Sequence, residues 1–408
     1  MNPVISAASG EAEDHGERIA QMGPLLIADG SRHRAELTDL VVELATLSAG
    51  FRRSLPDGVL TGLATLVRAM NCYYSNLIEG HDVHPVDIER ALEGDYRTEL
   101  EQRDLQLEAK AHIEVQKWID RGGLKDRAVT VAGLTETHRR FCQLLPDALR
   151  WIEEPDTKER VAVIPGAFRE RHVRVGRHSP VSPGAVPRFL DRFEAVYSRL
   201  GTTDTIMASA AAYHRLLWIH PFLDGNRRVA RMMSYAMLRD ALDTGGVWSI
   251  ARGLARHADA YKAQLAACDL SRRNDLDGRG NLSEQALAEF TRFFLRLCID
   301  QVQFMGGLVT LERLHSRIMV WAEEEERVGT LPMKSGAVLE AVLFRGELPR
   351  GDLPNLLGTR ERQARRVTSA LLKHGALQSE SSHAPLRLAF PARLASRWLP
   401  GLFPEAAD

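Results

Sequence analysis

The stretch HPFLDGNRRVAR, residues 220–231, places three arginines where a helix is predicted to begin. The N-terminus of a helix carries partial positive charge, so Arg227, Arg228 and Arg231 are unfavourable there unless an anion binds nearby. The DGN triplet predicts a tight loop before this helix. Because the first turn of a helix also offers free backbone N–H groups, the pattern indicates an anion site.

The polar residues of this stretch carry the chemistry of phosphate transfer. Arg228 and Arg231 are three apart and share a helical face, so they can clamp phosphates. Asp224 can hold Mg²⁺ together with phosphate oxygens, and Asn226 can orient a phosphate through its amide. His220 has a pKa suited to removing a proton from a hydroxyl. The set predicts phosphoryl or nucleotidyl transfer, in which positioning and charge neutralisation supply most of the catalysis.

Each of these residues also has a plainer interpretation. A histidine before proline is usually a helix cap or a surface residue, and two arginines three apart usually lie on a solvated helix face. Their combination within one short stretch makes coincidence a poor explanation.

The stretch resembles the signature of the Fic family, HxFx(D/E)GNxRxxR. Every fixed position is matched, by His220, Phe222, Asp224, Gly225, Asn226, Arg228 and Arg231. The resemblance implies that the histidine deprotonates a target hydroxyl, the aspartate binds Mg²⁺, and the loop from Gly225 with its arginines holds the phosphates of ATP. The usual reaction of this family moves AMP from ATP onto a Ser, Thr or Tyr of another protein or of the enzyme itself.

Arg227 departs from the pattern of AMP-transferring members, which usually carry Gly after the Asn. Family members of the Doc type carry Lys there and transfer the terminal phosphate of ATP instead. A cation at this position can crowd the usual nucleotide pose or add a contact to it. Phosphate transfer is therefore kept as an alternative, with AMP transfer first.

An inhibitory motif is predicted upstream, in YYSNLIEG at residues 73–80. Ser75 and Glu79 are four apart on one helical face, and Gly80 can end that helix. The stretch is similar to the (S/T)xxxE(G/N) motif of autoinhibited Fic proteins, in which the glutamate bonds the last arginine of the signature, here Arg231. A carboxylate at that place competes with phosphate, so we expect Glu79→Gly to raise activity.

A target-binding flap is expected between the two motifs. AFRERHVRVG, residues 167–176, alternates in a way that suggests a short hairpin. Residues 166–190 as a whole resemble the Fic flap, which aligns an extended target segment by backbone pairing. The contact residues implied by this resemblance are Val173, Arg174, Val175 and Gly176.

Composition limits the other possibilities. The formal net charge is −1 over 408 residues, which gives no overall attraction to nucleic acid or membrane. The four cysteines lack CxxC spacing, which argues against both a zinc site and a disulfide framework. Without a long apolar run or a signal peptide, the expected location is the cytoplasm, with no membrane partner.

The expected fold is mainly α, in four parts. Residues 1–22 are predicted to be disordered, 23–127 to form a helical region with the inhibitory helix, 128–328 to form the Fic core with its following helices, and 329–408 to form a winged helix. The last part has 11 Lys/Arg against 7 Asp/Glu from residue 331 onward. Its predicted helix TRERQARRVTSALLKHG, capped by Thr359 and closed by Gly375, clusters four arginines at its start: Arg360, Arg362, Arg365 and Arg366.

The partner of the winged helix stays open at this point. It can bind DNA, or it can serve protein contacts or dimer packing, and related proteins often form homodimers. A further alternative is a DNA-binding regulator whose Fic core senses nucleotide without transferring any group.

Overall fold

The computed structural model describes residues 4–5, 12–154 and 158–403, and within them the chain is mostly helical, which confirms the mainly α fold class. The helices are α1 (Arg34–Arg53), α2 (Asp57–Glu79), α3 (Pro85–Leu92), α4 (Leu100–Asp120), α5 (Val131–Leu144), α6 (Val186–Tyr197), α7 (Thr202–Ile219), α8 (Asn226–Leu242), α9 (Ala251–Arg256), α10 (Ala258–Cys268), α11 (Glu284–Leu308), α12 (Leu311–Val328), α13 (Ser335–Arg345), α14 (Leu353–Leu357), α15 (Glu361–Lys373) and α16 (Ala392–Trp398). The strands are β1 (Val4–Ile5), β2 (Trp151–Glu153), β3 (Arg160–Ala162), β4 (Val173–Arg174), β5 (Leu377–Gln378) and β6 (Arg387–Leu388).

Helices α7 and α8 form the centre of the core, and the predicted loop 220–225 joins them. The alanine-rich α7 is buried over most of its length, so its small side chains let neighbouring helices approach closely. It ends at His220, which adopts a left-handed conformation with φ 52°, and Pro221 cannot continue the helix. Helix α8 starts directly after Gly225, also left-handed with φ 80°.

The remaining core helices enclose this pair. The long α11 packs on α1 and α7, α4 packs on α2 and α5, and α6 packs on α7. Helices α1 and α2 are separated at Ser54–Pro56, where proline fixes an extended backbone. Helix α2 then ends at Gly80, left-handed with φ 92°, as predicted.

The N-terminal segment is more ordered than predicted. Residues 12–22, assigned to a disordered N-terminus, lie against the loop before α6. Ser182 donates to both carboxylate oxygens of Glu17, and Arg188 forms an ion pair with Asp14 at 2.6 Å. The acidic side chains that suggested disorder find these partners in the fold. The rest of that prediction, apart from β1, falls on residues outside the described part.

The predicted hairpin is displaced along the chain. The hairpin in this region pairs β2 with β3, upstream of residues 167–176. The predicted stretch contains only β4, which pairs with β1, followed by a turn in which Val175 and His178 exchange two backbone hydrogen bonds. The alternation was misleading because Arg169 points into the protein interior, where its guanidinium bonds backbone carbonyls.

The C-terminal elements follow the predicted order of three helices and two strands. Gly329, the first residue of the predicted last part, closes α12 with φ 86°. The predicted cap of α15 is wrong: the helix begins one residue later than expected, Arg360 takes the N-cap position, and Thr359 Oγ1 is buried without a hydrogen-bond partner among the described residues. A short helix, α16, follows β6 and was not predicted. The winged-helix assignment itself stays a prediction.

All four cysteines, Cys72, Cys142, Cys268 and Cys298, are buried free thiols. Of the helices in the described ranges, none by itself is long and apolar enough to cross a membrane. Helices α11 and α12, bent by 49° at their junction, meet the length and composition criteria only as a pair.

Candidate functional site

The loop between α7 and α8 is held by the side chain of Asn226. Its amide donates to the Phe222 carbonyl at 2.8 Å, and its oxygen accepts from the Phe222 backbone N–H at 2.9 Å. The Phe222 ring is fully buried and anchors the loop in the core. The amide expected to orient a phosphate therefore closes the loop, and its contact with a phosphate stays a prediction.

Arg169 braces the same loop from the segment before β4. Its guanidinium donates to the carbonyl of His220 at 2.7 Å and to those of Val181 and Ile219. Burial lowers the pKa of Arg169 to about 10, against the opposing influence of Glu17. Because its guanidinium bonds the carbonyls of Ile219 and His220, Arg169 fixes the backbone at the start of the loop, from which the His220 side chain projects.

His138, on α5, supports the other end of the loop. Its ring stacks on Phe222 with centroids 4.0 Å apart and planes 2° from parallel. Gly166 N–H donates to His138 Nδ1 at 2.9 Å, so the proton lies on Nε2, which donates to the Asp224 carbonyl. Burial lowers the pKa of His138 to about 4, so the ring is neutral at physiological pH. No motif in the sequence pointed to His138 or Arg169.

The side chain of His220 has a ring nitrogen without a partner within the described ranges. It is buried, and among the described residues no group hydrogen-bonds its Nε2. Burial first, then the positive charge of Arg169, lowers its pKa to about 3. The imidazole is therefore neutral with one ring nitrogen free, but a pKa of about 3 makes it a weaker base than the sequence predicts, because burial and Arg169 both disfavour the protonated ring.

Arg231 binds both residues of the predicted inhibitory motif. Its Nε donates to Ser75 Oγ at 2.7 Å, and its Nη2 donates to Glu79 Oε1 at 2.8 Å. The second oxygen of Glu79 accepts from Arg227 Nη1 at 2.9 Å. One carboxylate thus bridges two arginines of the loop stretch.

Glu79 is ionised in this arrangement. Burial alone would raise its pKa, but Arg231, Arg227 and Arg228 outweigh that effect and lower the pKa to about 2. In turn, Glu79 outweighs the burial of Arg231 and raises the pKa of that guanidinium. An anionic ligand must displace this carboxylate to reach Arg231.

Arg228 has a different partner from the one expected. Its Nη2 donates to the buried carboxylate of Glu108 on α4, and its guanidinium lies 5.1 Å from the Phe141 ring centroid. Burial lowers the pKa of Arg228 to about 10. The other oxygen of Glu108 lies 3.3 Å from His81 Nδ1, just beyond the end of α2. Two carboxylates therefore bind the three arginines of the stretch and leave one positive charge in excess.

Asp224 lies in the loop, beside these charges. Burial raises its pKa, and a hydrogen bond from the Gly225 backbone N–H works in the opposite direction. The described residues contain no group of three or more side chains arranged to hold a metal. A single carboxylate matches the way Mg²⁺ binds nucleotides, with phosphate and water oxygens as its other ligands.

The predicted flap residues lie on β4 and the turn after it. Val173 is buried, Arg174 is exposed, and Gly176 has a φ of 63° that suits the turn closed by Val175. His178, at the end of this turn, hydrogen-bonds the Trp218 carbonyl on α7 at 2.8 Å. It is also near enough to His220 to contribute to the lowered pKa of that ring. The end of the turn therefore lies beside the loop between α7 and α8.

Comparison with known proteins places the site in a family. Residues 128–238 match the Fic/DOC family model, and this range contains both the loop and His138. Together with the helical fold and the loop geometry, the match shows that residues 128–238 of this chain are similar to the Fic/DOC family.

Curated relatives match over part of the chain. "Protein adenylyltransferase Fic" of Drosophila erecta is 27% identical over 171 residues, which cover 41% of this chain and 32% of the relative. The protein of the same name from Drosophila grimshawi is 24% identical over 239 residues, covering 58% and 44% respectively. The chain thus spans less than half the length of these relatives.

Solved structures agree in fold. A Fic family protein from Desulfovibrio desulfuricans G20 superposes with a TM-score of 0.51 at 16% identity, covering 89% of this chain and 98% of its own. Fic-1 from C. elegans superposes with a TM-score of 0.50 at 18% identity, covering 67% and 73%. Identities this low show the fold alone.

Proposed function

We propose that this protein transfers AMP from Mg·ATP to a Ser, Thr or Tyr hydroxyl of target proteins and of itself, with Glu79 as an internal inhibitor. The observation that carries the proposal is the neutral His220, which stands at the start of the loop that leads to Arg231 and whose Nε2 has no partner in the part of the chain that the structure describes. The names of the curated relatives support the same activity.

The reaction follows from these groups. His220 Nε2 removes the proton of the target hydroxyl as the oxygen attacks the α-phosphorus of ATP. The bond from that phosphorus to the bridging oxygen of the β-phosphate breaks, and pyrophosphate leaves. Arg231, once released by Glu79, binds the terminal phosphates, and the N–H groups at the start of α8, at Gly225 and Asn226, add donors. Arg228 stays bonded to Glu108 and contributes positive charge close by.

Asp224 would hold the magnesium ion. Bound there, Mg²⁺ would neutralise phosphate charge and fix the orientation of the nucleotide. The raised pKa of Asp224 reflects burial near Glu79, so departure of that carboxylate favours the ionised form that binds the metal.

Target proteins would align along residues 173–176. These residues lie next to the loop that carries His220, and because β1 already pairs with β4 and His178 with Val175, an aligned target would replace one of these pairings. Backbone pairing there would bring a hydroxyl to Nε2 with little demand on the target sequence.

Arg227 supports an alternative, transfer of the terminal phosphate. Its guanidinium shares Glu79 with Arg231, so it stands where a second phosphate contact would form once the glutamate leaves. A nucleotide bound in the reverse sense would then present its γ-phosphorus to the hydroxyl.

A second candidate is a nucleotide-sensing DNA-binding regulator. Arg360, Arg362, Arg365 and Arg366 are all exposed at the start of α15, as expected of a helix that contacts DNA phosphates. This candidate requires DNA binding that ATP alters, without any group transfer after removal of Glu79.

Labelled ATP tests these proposals. The Glu79→Gly variant, incubated with Mg²⁺ and ATP labelled at the α-phosphate, should acquire label, and addition of His220→Ala should abolish it. Label that appears only from γ-labelled ATP would replace AMP transfer by phosphate transfer. No label from either, with nucleotide bound, would favour the regulator.

A further inference from the structure

Helix α2 serves two parts of the molecule. On one face of the helix, Ser75 and Glu79 bond Arg231. Another face carries Gly58, Gly62 and Tyr73. That second face carries residues 335–403, which we call the C-terminal unit.

Two glycines bring the C-terminal unit against the backbone of α2. A Cβ at Gly58 would lie 1.9 Å from the carbonyl oxygen of Gly346, and a Cβ at Gly62 would lie 2.5 Å from that of Leu388. Neither glycine has a positive φ, so close approach explains both. The contact is therefore between backbones, so a displacement of the C-terminal unit displaces the backbone of α2 as well.

The contact continues to the end of α2 that bears the inhibitory motif. Tyr74 Oη donates to the Leu402 carbonyl at 2.8 Å, and both residues are buried. The Tyr73 ring meets Phe403 edge-to-face at 5.8 Å. Arg252, at the start of α9, reaches the carbonyl of Gly401. Residues 401–403 thus hold the two tyrosines that directly precede Ser75.

We propose that the C-terminal unit locks α2 in the position that keeps Glu79 on Arg231 and Arg227, so that a partner that loosens this unit activates the enzyme. The proposal rests on the proposed inhibition of AMP transfer by Glu79. Its physical basis is a chain of direct contacts, from Leu402 to Tyr74, and from the adjoining Ser75 and Glu79 to Arg231. Glu79 lies only five residues beyond Tyr74, so a shift of the last two helical turns moves the carboxylate.

The test weakens the lock at one hydrogen bond. Tyr74→Phe removes the hydroxyl that bonds Leu402 and keeps the ring, and Phe403→Leu independently removes the edge-to-face contact. Tyr96→Phe is the matched control, because its hydroxyl bonds Lys110 and lies on the loop before α4. Hydrogen exchange of the amides of residues 76–80 should accelerate about fivefold in Tyr74→Phe, the factor expected from one hydrogen bond of ordinary net strength. It should stay unchanged in Tyr96→Phe.

Nucleotide affinity then shows whether the lock acts through Glu79. With Glu79 present, Tyr74→Phe should tighten ATP binding by about fivefold, and in the Glu79→Gly background it should have no effect. Unchanged exchange in folded Tyr74→Phe and Phe403→Leu, or an equal gain in affinity in both backgrounds, would overturn the proposal. If these results hold while Glu79→Gly transfers no AMP, the lock stands and the proposed function fails.

Discussion

Replacement of Glu79 by glutamine should destabilise the protein and make it more responsive to ATP. Glutamine keeps the size of the side chain and resembles the protonated acid, so Glu79→Gln removes the negative charge and little else. Arg231 and Arg227 would then face each other across a neutral amide in a largely buried place.

The magnitude follows from the pKa of Glu79. Its ordinary value of 4.5 falls to about 2 in the folded protein, after the arginines have outweighed burial. A fall of that size corresponds to about 3 kcal/mol in favour of the ionised form. Because the folded pKa is the lower one, this contribution is complete above pH 4.5 and disappears as the pH falls towards 2. At neutral pH, Glu79→Gln should therefore lose about 3 kcal/mol of unfolding free energy.

Urea unfolding at pH 7, with and without Mg·ATP, measures both effects. In the wild type, phosphate must displace Glu79, whereas in the variant it restores the missing negative charge. Saturating ATP should therefore stabilise Glu79→Gln more than the wild type. At a hundred times its dissociation constant for the variant, ATP should add about 2.7 kcal/mol to the stability of the variant. Glu101→Gln, an exposed glutamate in the first turn of α4, serves as the control.

Two results would refute this reasoning. One is a Glu79→Gln variant as stable as the wild type, since the arginines would then not depend on the carboxylate. The other is equal stabilisation of both proteins by ATP, since phosphate would then not compete for the position of Glu79.

Three further predictions concern the loop and its supports. Arg227→Gly removes one of the two ion pairs of Glu79, which is partly exposed and contributes about 1 kcal/mol. ATP affinity measured by calorimetric titration should therefore rise about fivefold, and it should not rise in a variant that already lacks Glu79. Asn226→Ala leaves the buried N–H and the buried carbonyl of Phe222 unpaired. The free energy of unfolding in urea should therefore fall by about 2 to 4 kcal/mol, and transfer should be abolished. A variant with full stability would contradict the structural role of the amide. Burial lowers the pKa of His138 from 6.5 to about 4, so the unfolded chain takes up a proton at a higher pH than the folded protein does. The free energy of unfolding should therefore decrease as the pH drops from 6.5, by about 1.4 kcal/mol at pH 5.5. His138→Gln should lack that part of the pH dependence.

The sequence predicted the features that depend on local spacing. The tight loop before the helix of residues 227–242 is one such feature, since Pro221 restricts the backbone and Gly225 permits the left-handed turn. Ser75 and Glu79 are another: four residues apart on α2, they reach Arg231 together. Their common face follows from helical periodicity, whichever helix packs beside it.

Features that depend on distant partners were missed or misplaced. Arg169 looked like part of an alternating strand, and its buried position depends on carbonyls of residues 181, 219 and 220. Arg228 shares a helical face with Arg231, but the guanidinium of Arg228 bonds Glu108 on α4 instead of Glu79. His138 and the ion pair between Asp14 and Arg188 likewise join segments far apart in the chain. Spacing along the sequence contains no information on such pairs.

The central claim is tested most directly by one labelling experiment on three proteins: the wild type, Glu79→Gly, and Glu79→Gly with His220→Ala. Each is incubated with Mg²⁺ and α-labelled ATP, and incorporation of label into protein is measured against a parallel set with γ-labelled ATP. The account predicts α-label on Glu79→Gly, far less on the wild type, and none on the double variant. Equal α-label on Glu79→Gly and the double variant would contradict the role of His220, and equal label on the wild type would contradict inhibition by Glu79.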